Sequence, residues 1–486
     1  MKNRILHIKS VLILIVMIGF TSCDQEFLEV TPKQRIILKT TADYNLALTN
    51  FNFVNVSLAY GVGASQVIMG DEVAAYKPYF DGTTLRHQRF FRYEGDVYQP
   101  NEDAVEMDGP MTNVYAYNVI INEVLNSSGG TEQQKQALRA EALAGRAWTY
   151  FLLINYYGKP YNESTSASDP GFPIVTDADV TLTDFSRASV KEVYDFIVSD
   201  LTAAIPNLPA VSSSRIRMTK AAAQSILAKV YIFMRQYDKA VPYLNEAIAS
   251  LSNGQDNLGL YDYNANFSAG GAFMPIGMFG PAYPAMPNNK EIVFTKQFSN
   301  TWAFADNEVV LSPKTTSLYK ASDLRLNFFA RNAFFGADYP NGMLRRVGPS
   351  STQIGVIVPD LYLLRAECEA RLNNLSAAVT DVETLRKNRM PLTDMAVPSA
   401  IASNQQELVK FILEERIREF SVMGYRWFDM RRLSVDPIYK QTIDFTHVLY
   451  DENGNVSGTY TLTEDRLTLK FPEKVINQNP GMDNNP

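Results

Sequence analysis

The sequence predicts a mostly α-helical protein, a scaffold of repeated helical hairpins with long irregular loops and a few short β-strands. The main observation is an apolar pattern at helical spacing over residues 219–250, with a short break at 236–238, which indicates two helices joined by a tight turn. The same spacing returns after Pro359. Since one hairpin cannot bury its own apolar face, further hairpins must pack against it.

The first hairpin matches the tetratricopeptide pattern, in which small residues let the two helices approach closely. The residues on the pattern's offsets are Leu227, Ala228, Tyr231, Ala240, Leu244 and Ala247. Ala366 and Ala378 repeat the spacing of Ala228 and Ala240, which predicts a second unit of the same kind. A generic buried hairpin is the alternative, because the repeat is inferred from the pattern alone.

Other segments complete the predicted architecture. Helical periodicity covers residues 108–126, 131–157, 188–205 and 405–422, and short strands are predicted at 291–298 and 308–311. Trp148 borders an apolar stripe, so core packing is expected for it. Residues 69–92 are rich in aromatic, acidic and Arg side chains without a period, which indicates an irregular loop or part of a recognition surface. Residues 253–289 indicate a long structured loop.

Composition and charge exclude one class of partner. Of the 486 residues, 46% are hydrophobic and 20% are charged, which is ordinary for a globular protein. The net charge is -7, and the mature chain is more acidic still, because Lys2, Arg4 and Lys9 belong to a leader. No basic stripe offsets this charge, which argues against nucleic acid as a partner.

Residues 1–22 have the pattern of an export signal, with basic residues before a short apolar run at 11–20 that ends in small residues. The run is too short to span a bilayer, which argues against a transmembrane anchor there. The next residue, Cys23, resembles the lipidated cysteine of a bacterial lipobox in a relaxed form. A plain secretory signal with an incidental cysteine is the alternative. Acyl chains on Cys23 would hold a soluble domain at a membrane.

The sequence contains few residues that could bind a metal ion or a cofactor. Cys368 lies in a predicted helix without a disulfide partner, and we expect a buried thiol. Beyond the leader only His87 and His447 are left for a zinc site or a Cys-His nucleophile. No phosphate-binding loop or dinucleotide fingerprint occurs. We therefore predict no cofactor and no metal, so that any catalysis would have to rest on carboxylates.

The best carboxylate pair for catalysis is Glu415 and Glu419, which share a helix face at the spacing i, i+4. Glycoside hydrolysis needs two carboxyl groups, of which one has a raised pKa. Several arginines crowd the same segment and would keep both acids ionised. They are Arg416, Arg418, Arg426, Arg431 and Arg432. We therefore predict a structural ion-pair network here rather than a hydrolase site.

Several short motifs occur in an order typical of one protein family. They lie at residues 23–32, 139–160, 187–209, 219–250, 289–292, 323–325 and 365–367. The most specific is EERIREFSVMGYRWFDMRRL at 414–433, which resembles the signature ER-x-x-E…EG-x-RW-x-DLRR. Together these motifs resemble the SusD/RagB-like outer-membrane lipoproteins of Bacteroidetes. Met423 departs from the usual glutamate, and the terminal motif is reduced to residues 471–473, which puts local ion pairing in doubt.

The resemblance implies one domain over residues 23–486, with an N-terminal half at about 23–235 and a C-terminal half at about 290–486. It implies a lipid anchor in the outer membrane, and Asp24 and Glu26 resemble a surface-export signal. It also implies a non-enzymatic function, in which the protein captures oligosaccharide outside the cell and delivers it, as a lid, to a TonB-dependent barrel transporter. Family members of the RagB type bind peptides, which is the main alternative.

Sugar binding needs flat apolar platforms and planar polar groups, and the loops contain both. Trp302 is the first candidate, because it is the only tryptophan outside a helical pattern or the C-terminal signature. The other candidates are Tyr76, Tyr79, Tyr283, Asn300 and Arg86. The Met and Phe residues of 272–286 are expected to form an apolar seam against the transporter. A peptide site would depend less on Trp302, and a hydrolase should lose turnover on Glu419→Gln.

Overall fold

The computed structural model describes residues 38–56, 64–179, 181, 183, 185–212, 214–252 and 257–486. The predicted export signal and Cys23 lie outside these residues. Seventeen α-helices occur in the described ranges. They are α1 Thr41–Ala47, α2 Ala64–Ile68, α3 Lys77–Phe80, α4 Leu85–Phe91, α5 Val105–Glu123, α6 Glu132–Tyr157, α7 Val190–Ala204, α8 Lys220–Phe233, α9 Tyr237–Ser250, α10 Tyr263–Asn266, α11 Pro313–Thr316, α12 Val358–Arg371, α13 Leu375–Arg386, α14 Ser399–Ala402, α15 Gln405–Phe420, α16 Tyr425–Ser434 and α17 Glu473–Gln478.

The long helices pack mostly on their neighbours in the chain. α5 packs on α6, α6 on α7, α7 on α8 and α8 on α9, and α9 then packs on α12, which pairs with α13 and α15. The two predicted hairpins are therefore adjacent, although more than a hundred residues separate them in the chain. The prediction of a helical-repeat scaffold is confirmed.

Small residues decide how closely the hairpin helices approach. Ala228 on α8 and Ala240 on α9 are fully buried, as are Ala366 on α12 and Ala378 on α13. A methyl side chain at these positions lets the facing helix backbone come close, which is the requirement of the tetratricopeptide pattern. The sequence also predicts where α6 begins. The side chains of Thr131 and Gln134 each accept a hydrogen bond from the other residue's backbone N–H group, which forms a capping box.

Ten short β-strands lie beside the helical scaffold. They are β1 Val73–Tyr76, β2 Ile292–Phe294, β3 Gln297–Ser299, β4 Val309–Leu311, β5 Phe329–Ala330, β6 Arg345–Arg346, β7 Ser351–Gln353, β8 Val356–Ile357, β9 Thr446–Tyr450 and β10 Val456–Thr461. One sheet has the order β10-β9-β1-β4, and β2-β8, β3-β7 and β5-β6 form separate pairs. The strand predicted at 291–298 is thus two strands, β2 and β3, with different partners.

Residues 69–92 are more regular than the expected loop or recognition surface. They form β1, α3 and α4, and Phe80, Phe90 and Phe91 are buried. β1 pairs in parallel with β9 on one side and antiparallel with β4 on the other. These elements have only four to seven residues, which is too short to show a period in the sequence. By contrast, residues 257–289 contain only the one-turn helix α10, in agreement with the predicted long loop.

The core runs continuously through the helical scaffold. Trp148 and Cys368 lie in it, as expected from the sequence. Trp427 of the C-terminal signature is also completely buried. Within the described ranges, no helix combines the length and the apolar character that crossing a membrane requires.

Candidate ligand-binding site

Four phenylalanines from three loops meet at the surface, and we call them the phenylalanine cluster: Phe279, Phe304, Phe334 and Phe335. The rings of Phe279 and Phe304 stack with centroids 4.8 Å apart and an interplanar angle of 15°. Phe334 stacks on Phe279 at 5.9 Å and contacts Phe335 at 4.3 Å. Phe279 is 49% exposed, Phe304 43% and Phe335 85%. Large apolar side chains grouped at a surface indicate a binding site or an interface.

Tight turns hold these rings in place. Phe279 lies in a turn closed by two hydrogen bonds of 3.0 Å between the backbones of Gly277 and Gly280. Gly280 has φ +92°, and a Cβ at that position would clash with the carbonyl oxygen of Val347. Phe335 itself has φ +55°, a left-handed conformation that is unfavourable for an aromatic residue. Strain of this kind occurs preferentially at functional sites.

An open groove of about 470 Å³ runs along one side of the cluster. Its apolar walls include Ile276, Met278, Phe329, Phe334 and Phe335, and its polar groups are Asn327, Asn332 and Arg345. The volume lies within the range of roughly 300–1,000 Å³ that small-molecule sites occupy. A wall of exposed rings beside a few polar groups can bind the apolar face of a polar ligand while pairing its hydroxyl groups.

Trp302, the first candidate from the sequence, does not form part of this surface. Its side chain is 1% exposed, and its indole Nε1 donates a 2.9 Å hydrogen bond to Glu308 Oε1. The ring of His87 lies 5.3 Å from the Trp302 ring, and burial lowers the pKa of His87 to about 4. The prediction of an exposed Trp302 platform is therefore wrong, because both faces and the N–H group are used within the fold. Phe304, two residues later, is the ring that reaches the surface.

Asn300 is likewise buried rather than available to a ligand. Its amide Nδ2 donates to Thr352 Oγ1 at 3.1 Å and to the carbonyl of Val422 at 2.6 Å. Tyr76 lies in β1 and is 8% exposed, with its ring 5.2 Å from that of Tyr339. Asn300 and Tyr76 are therefore buried, like Trp302, and none of the three lines the groove.

The remaining candidates from the sequence are Tyr79, Tyr283 and Arg86, and each has contacts within the protein. Tyr79 is half-buried, and a Cβ at Gly336 would clash with its hydroxyl, so Tyr79 supports the loop that carries Phe335. The Tyr283 hydroxyl donates a 2.8 Å hydrogen bond to Glu291, within a separate aromatic group. Arg86 pairs with Glu102 at 3.4 Å.

The sequence analysis missed Phe304, Phe334 and Phe335. Phe304 stood in the stretch that contains Trp302, but tryptophan has the larger ring and was preferred. The adjacent pair Phe334–Phe335 before Gly336 was the available signal, since two apolar rings in a Gly- and Asn-rich turn are rarely both buried.

The acidic pair Glu415 and Glu419 lies in a dense ion-pair network, as predicted, but of the five arginines predicted to hold it only Arg418 contacts either acid. Glu415 pairs with Arg325, Arg386 and Arg418 at 2.7 to 2.8 Å, and Glu419 pairs with Arg325 at 3.0 Å and with Arg389 at 2.8 Å. Burial alone would raise both pKa values, but the neighbouring guanidinium groups outweigh it and hold them below the usual range. Neither carboxyl group is poised to donate a proton at neutral pH.

Two family models match the chain. One, described as starch-binding associating with outer membrane, matches residues 26–232, and the other, described as SusD family, matches residues 358–486. The chain belongs to the SusD/RagB-like family. Together the two models cover more than half of it, and the second includes the C-terminal signature on which the resemblance chiefly depended.

Relatives of the same family agree over most of the chain. SusD-like protein P38 of Formosa agariphila is 24% identical over 71% of this chain and 73% of its own length. SusD-like protein P2 of the same organism is 26% identical over 76% of this chain and 79% of its own length. Neither identity is high enough to carry over individual contact residues.

Solved structures of the family share the fold. A putative sugar binding protein from Bacteroides vulgatus superposes with a TM-score of 0.69 at 18% identity, covering 93% of this chain and 99% of that chain. A SusD superfamily protein from Bacteroides thetaiotaomicron gives 0.70 at 17% identity, covering 92% and 100%. The fold is therefore that of the SusD superfamily.

Proposed function

We propose that this protein binds oligosaccharide on the phenylalanine cluster and delivers it to a TonB-dependent barrel transporter, for which it acts as a lid, without catalysis. The observation that carries the proposal is the exposed, stacked set of phenyl rings beside an open groove. Sugar rings present C–H groups on their faces, which pack on aromatic rings, while their hydroxyls need planar hydrogen-bonding groups such as Asn327 and Asn332.

The family comparisons support the same function. One matching model is described as starch-binding and associating with outer membrane, and one structural neighbour is described as a putative sugar binding protein. The predicted export signal and Cys23 support an anchor that leaves the domain at the outer membrane, facing the exterior. The guanidinium-paired carboxylates support a binding function rather than a glycosidase.

The proposed contact residues are Phe279, Phe304, Phe334 and Phe335, with Tyr79 supporting the loop beneath them. Trp302 takes a supporting role, because its hydrogen bond to Glu308 fixes the short helical turn that ends at Phe304.

The test is calorimetry of the full chain in detergent against a panel of polysaccharides. We expect saturable binding to at least one glycan, and a loss of about tenfold or more in affinity for Phe304→Ala, since truncating a central aromatic contact typically costs over 1 kcal/mol. Phe51→Ala is the matched control. Phe51 is 54% exposed, and it lies in a short helical turn that packs against α5.

Each outcome separates the alternatives. Loss of binding for Phe304→Ala but not for Phe51→Ala supports the site. Equal binding by both variants would keep the glycan function and move the site elsewhere. Binding of peptides but of no polysaccharide would replace the proposal with the RagB-type alternative.

A separate experiment tests the proposed contact with the transporter. Met274 is 38% exposed on the segment that carries Phe279 and does not line the groove, and we propose that it contacts the transporter. The chain should co-purify with a barrel transporter from outer membranes, and Met274→Glu should weaken this association. Leu392→Glu, at a position that is 71% exposed, is the control. A chain that co-purifies with no transporter would contradict the lid function.

A further inference from the structure

Arg345 places a buried positive charge beside the groove. It lies on β6, its side chain is 3% exposed, and it lines the groove at the phenylalanine cluster. Its guanidinium carbon lies 5.5 Å from the centroid of the Phe334 ring. The charge therefore lies close to Phe334, one of the rings that are proposed to hold the sugar.

Backbone oxygens are the described hydrogen-bond partners of Arg345. Nη1 donates to the carbonyl of Phe304 at 3.1 Å and to that of Arg346 at 3.4 Å, and Nε donates to the carbonyl of Asn332 at 3.4 Å. Within the described residues, no carboxylate lies within 4.0 Å of the guanidinium, and Nη2 makes no hydrogen bond. Carbonyl dipoles satisfy N–H groups but do not neutralise the charge.

Several other buried arginines are paired with carboxylates. Arg325 contacts the carboxylates of Asp323, Glu415 and Glu419, and Arg389 contacts those of Glu291 and Glu419. Arg346 and Arg431 resemble Arg345 in donating only to backbone carbonyls within the described residues, but neither of them lines the groove. A buried charge without a counterion is costly, and such groups are normally paired. Burial lowers the pKa of Arg345 below its ordinary value, in agreement with the absence of a carboxylate partner.

The charge of the groove is positive. Arg345 is the only residue with a formal charge among the described residues that line it, and the exposed Arg331 lies next to the lining residue Asn332. Asp338, which forms a backbone bridge with Asn332, is not part of the lining. An acidic ligand group entering the groove therefore meets a cation and no opposing carboxylate.

We propose that the groove selects an anionic glycan, whose carboxylate or sulfate group pairs with Arg345 while its sugar rings pack on the phenylalanine cluster. This inference rests on the proposed glycan-binding function and specifies the class of sugar. A guanidinium binds a carboxylate or a sulfate through parallel N–H···O bonds, which gives orientation as well as affinity. The acidic group of the sugar would be the counterion that Arg345 does not have within the protein.

The test compares charged and neutral forms of the same glycan by calorimetry with the full chain. The pairs are oligogalacturonate with its neutral methyl ester of equal length, for carboxylate, and sulfated with desulfated carrageenan oligosaccharides, for sulfate. We expect one charged form to bind about tenfold or more tighter than its neutral partner, with a preference that falls as salt is raised. The preferred pair identifies the acidic group.

Substitution of Arg345 locates the effect. Arg345→Gln should remove the preference for the charged form, measured as the ratio of the affinities of that variant for the charged and the neutral glycan. Arg345→Lys, which keeps the charge but lacks the two-pronged geometry, should retain part of it. Arg235→Gln, at an exposed position in the turn between α8 and α9, is the control. If Arg345→Gln does not fold, the comparison of wild type with Arg345→Lys still decides the question.

Two results would overturn the inference, and they differ from failure of the proposed function. Equal affinity of the wild-type protein for charged and neutral forms would remove the anionic specificity and leave glycan binding intact. A preference that persists in Arg345→Gln would assign the charge recognition to another residue. Binding of neither form of any glycan would instead refute the proposed function itself.

Discussion

Trp302 and Phe304 show how two aromatic residues close together in the chain can differ in exposure, at 1% and 43%. Both lie in the same loop, and ring size favours Trp302 as a ligand platform. The positions of Glu308 and His87 decide otherwise, because they accept the Trp302 N–H and cover its ring. Phe304 has no polar atom to satisfy and stays at the surface on Phe279. Residue type alone does not distinguish these two environments.

Glu72 is a second residue whose behaviour depends on its surroundings. It is 1% exposed, and no side chain among the described residues donates a hydrogen bond to its carboxylate. Burial and the nearby Asp71 charge raise its pKa to about 8, and the backbone N–H groups of Glu72 and Val422 and the charge of Arg426 only partly oppose them. The folded state therefore holds a proton that the unfolded state releases near pH 4.5. The stabilisation by this proton is complete below pH 4.5 and is lost as the pH rises through 8.

Glu72→Gln should remove this pH dependence. Relative to wild type, the variant should gain stability between pH 5 and pH 9, on the order of 1–4 kcal/mol, because it keeps a neutral side chain throughout. Denaturant unfolding at the two pH values measures the difference. If the free energy of unfolding changed equally between pH 5 and pH 9 in the variant and in the wild type, Glu72 would already be ionised in the folded protein at pH 5.

At the scale of elements, the helical hairpins depend on small buried residues. Ala228 lies where α8 meets α9 and has no exposed surface. The sequence predicts this contact well, because the spacing of small and apolar residues in a hairpin is local information. Short elements such as β1 and α3 cannot be predicted in this way, since four residues contain too few positions to define a period.

Ala228→Leu should destabilise the protein by about 1–3 kcal/mol, because three added carbon atoms cannot fit between α8 and α9 without moving one of them. The free energy of unfolding from denaturant titration is the measurement. Ala249→Leu, on an exposed position of α9, should change it by less than about 0.5 kcal/mol. Similar effects of the two changes would contradict the packing argument.

The turn at Gly277–Gly280 is the element that presents Phe279. Gly280→Ala should lower glycan affinity several-fold while changing the melting temperature little, because both its positive φ and the Val347 carbonyl disfavour a side chain there. Gly259→Ala is the control, since Gly259 lies outside the groove and an added Cβ would meet nothing within 4 Å. Unchanged affinity in Gly280→Ala would show that the turn does not determine the position of the Phe279 ring.

At the scale of the whole molecule, an ion-pair network joins distant segments. Arg389 at the end of the second hairpin contacts Glu291 before β2 and Glu419 on α15, and Arg325 extends the network to Glu415. The loop region is thereby tied to the helical scaffold. Because the pKa of Glu415 is held below its usual value, its stabilisation is complete above about pH 4.5 and is lost only as the pH falls further.

Glu415→Gln should cost about 3–5 kcal/mol of unfolding free energy at pH 7, because it removes the shared carboxylate of three buried or nearly buried arginines. Glu414→Gln is the control. That side chain is 48% exposed and lies 3.7 Å from Arg418, so its loss should cost under about 0.5 kcal/mol. Equal costs measured by denaturant unfolding would contradict the importance of the network.

The sequence by itself determined the helical hairpins and the family, because each depends on residues close together in the chain, and it predicted an ion-pair network at the C-terminal signature. The tertiary structure decided the distant partners of that network, such as Arg325 and Arg389. Only the tertiary structure decided which aromatic rings are exposed. Phe279, Phe304 and Phe334 meet through turns in three separate loops, and β1 finds its partner β9 more than 350 residues later. Burial is set by such distant contacts, and a local pattern of residue types does not contain them.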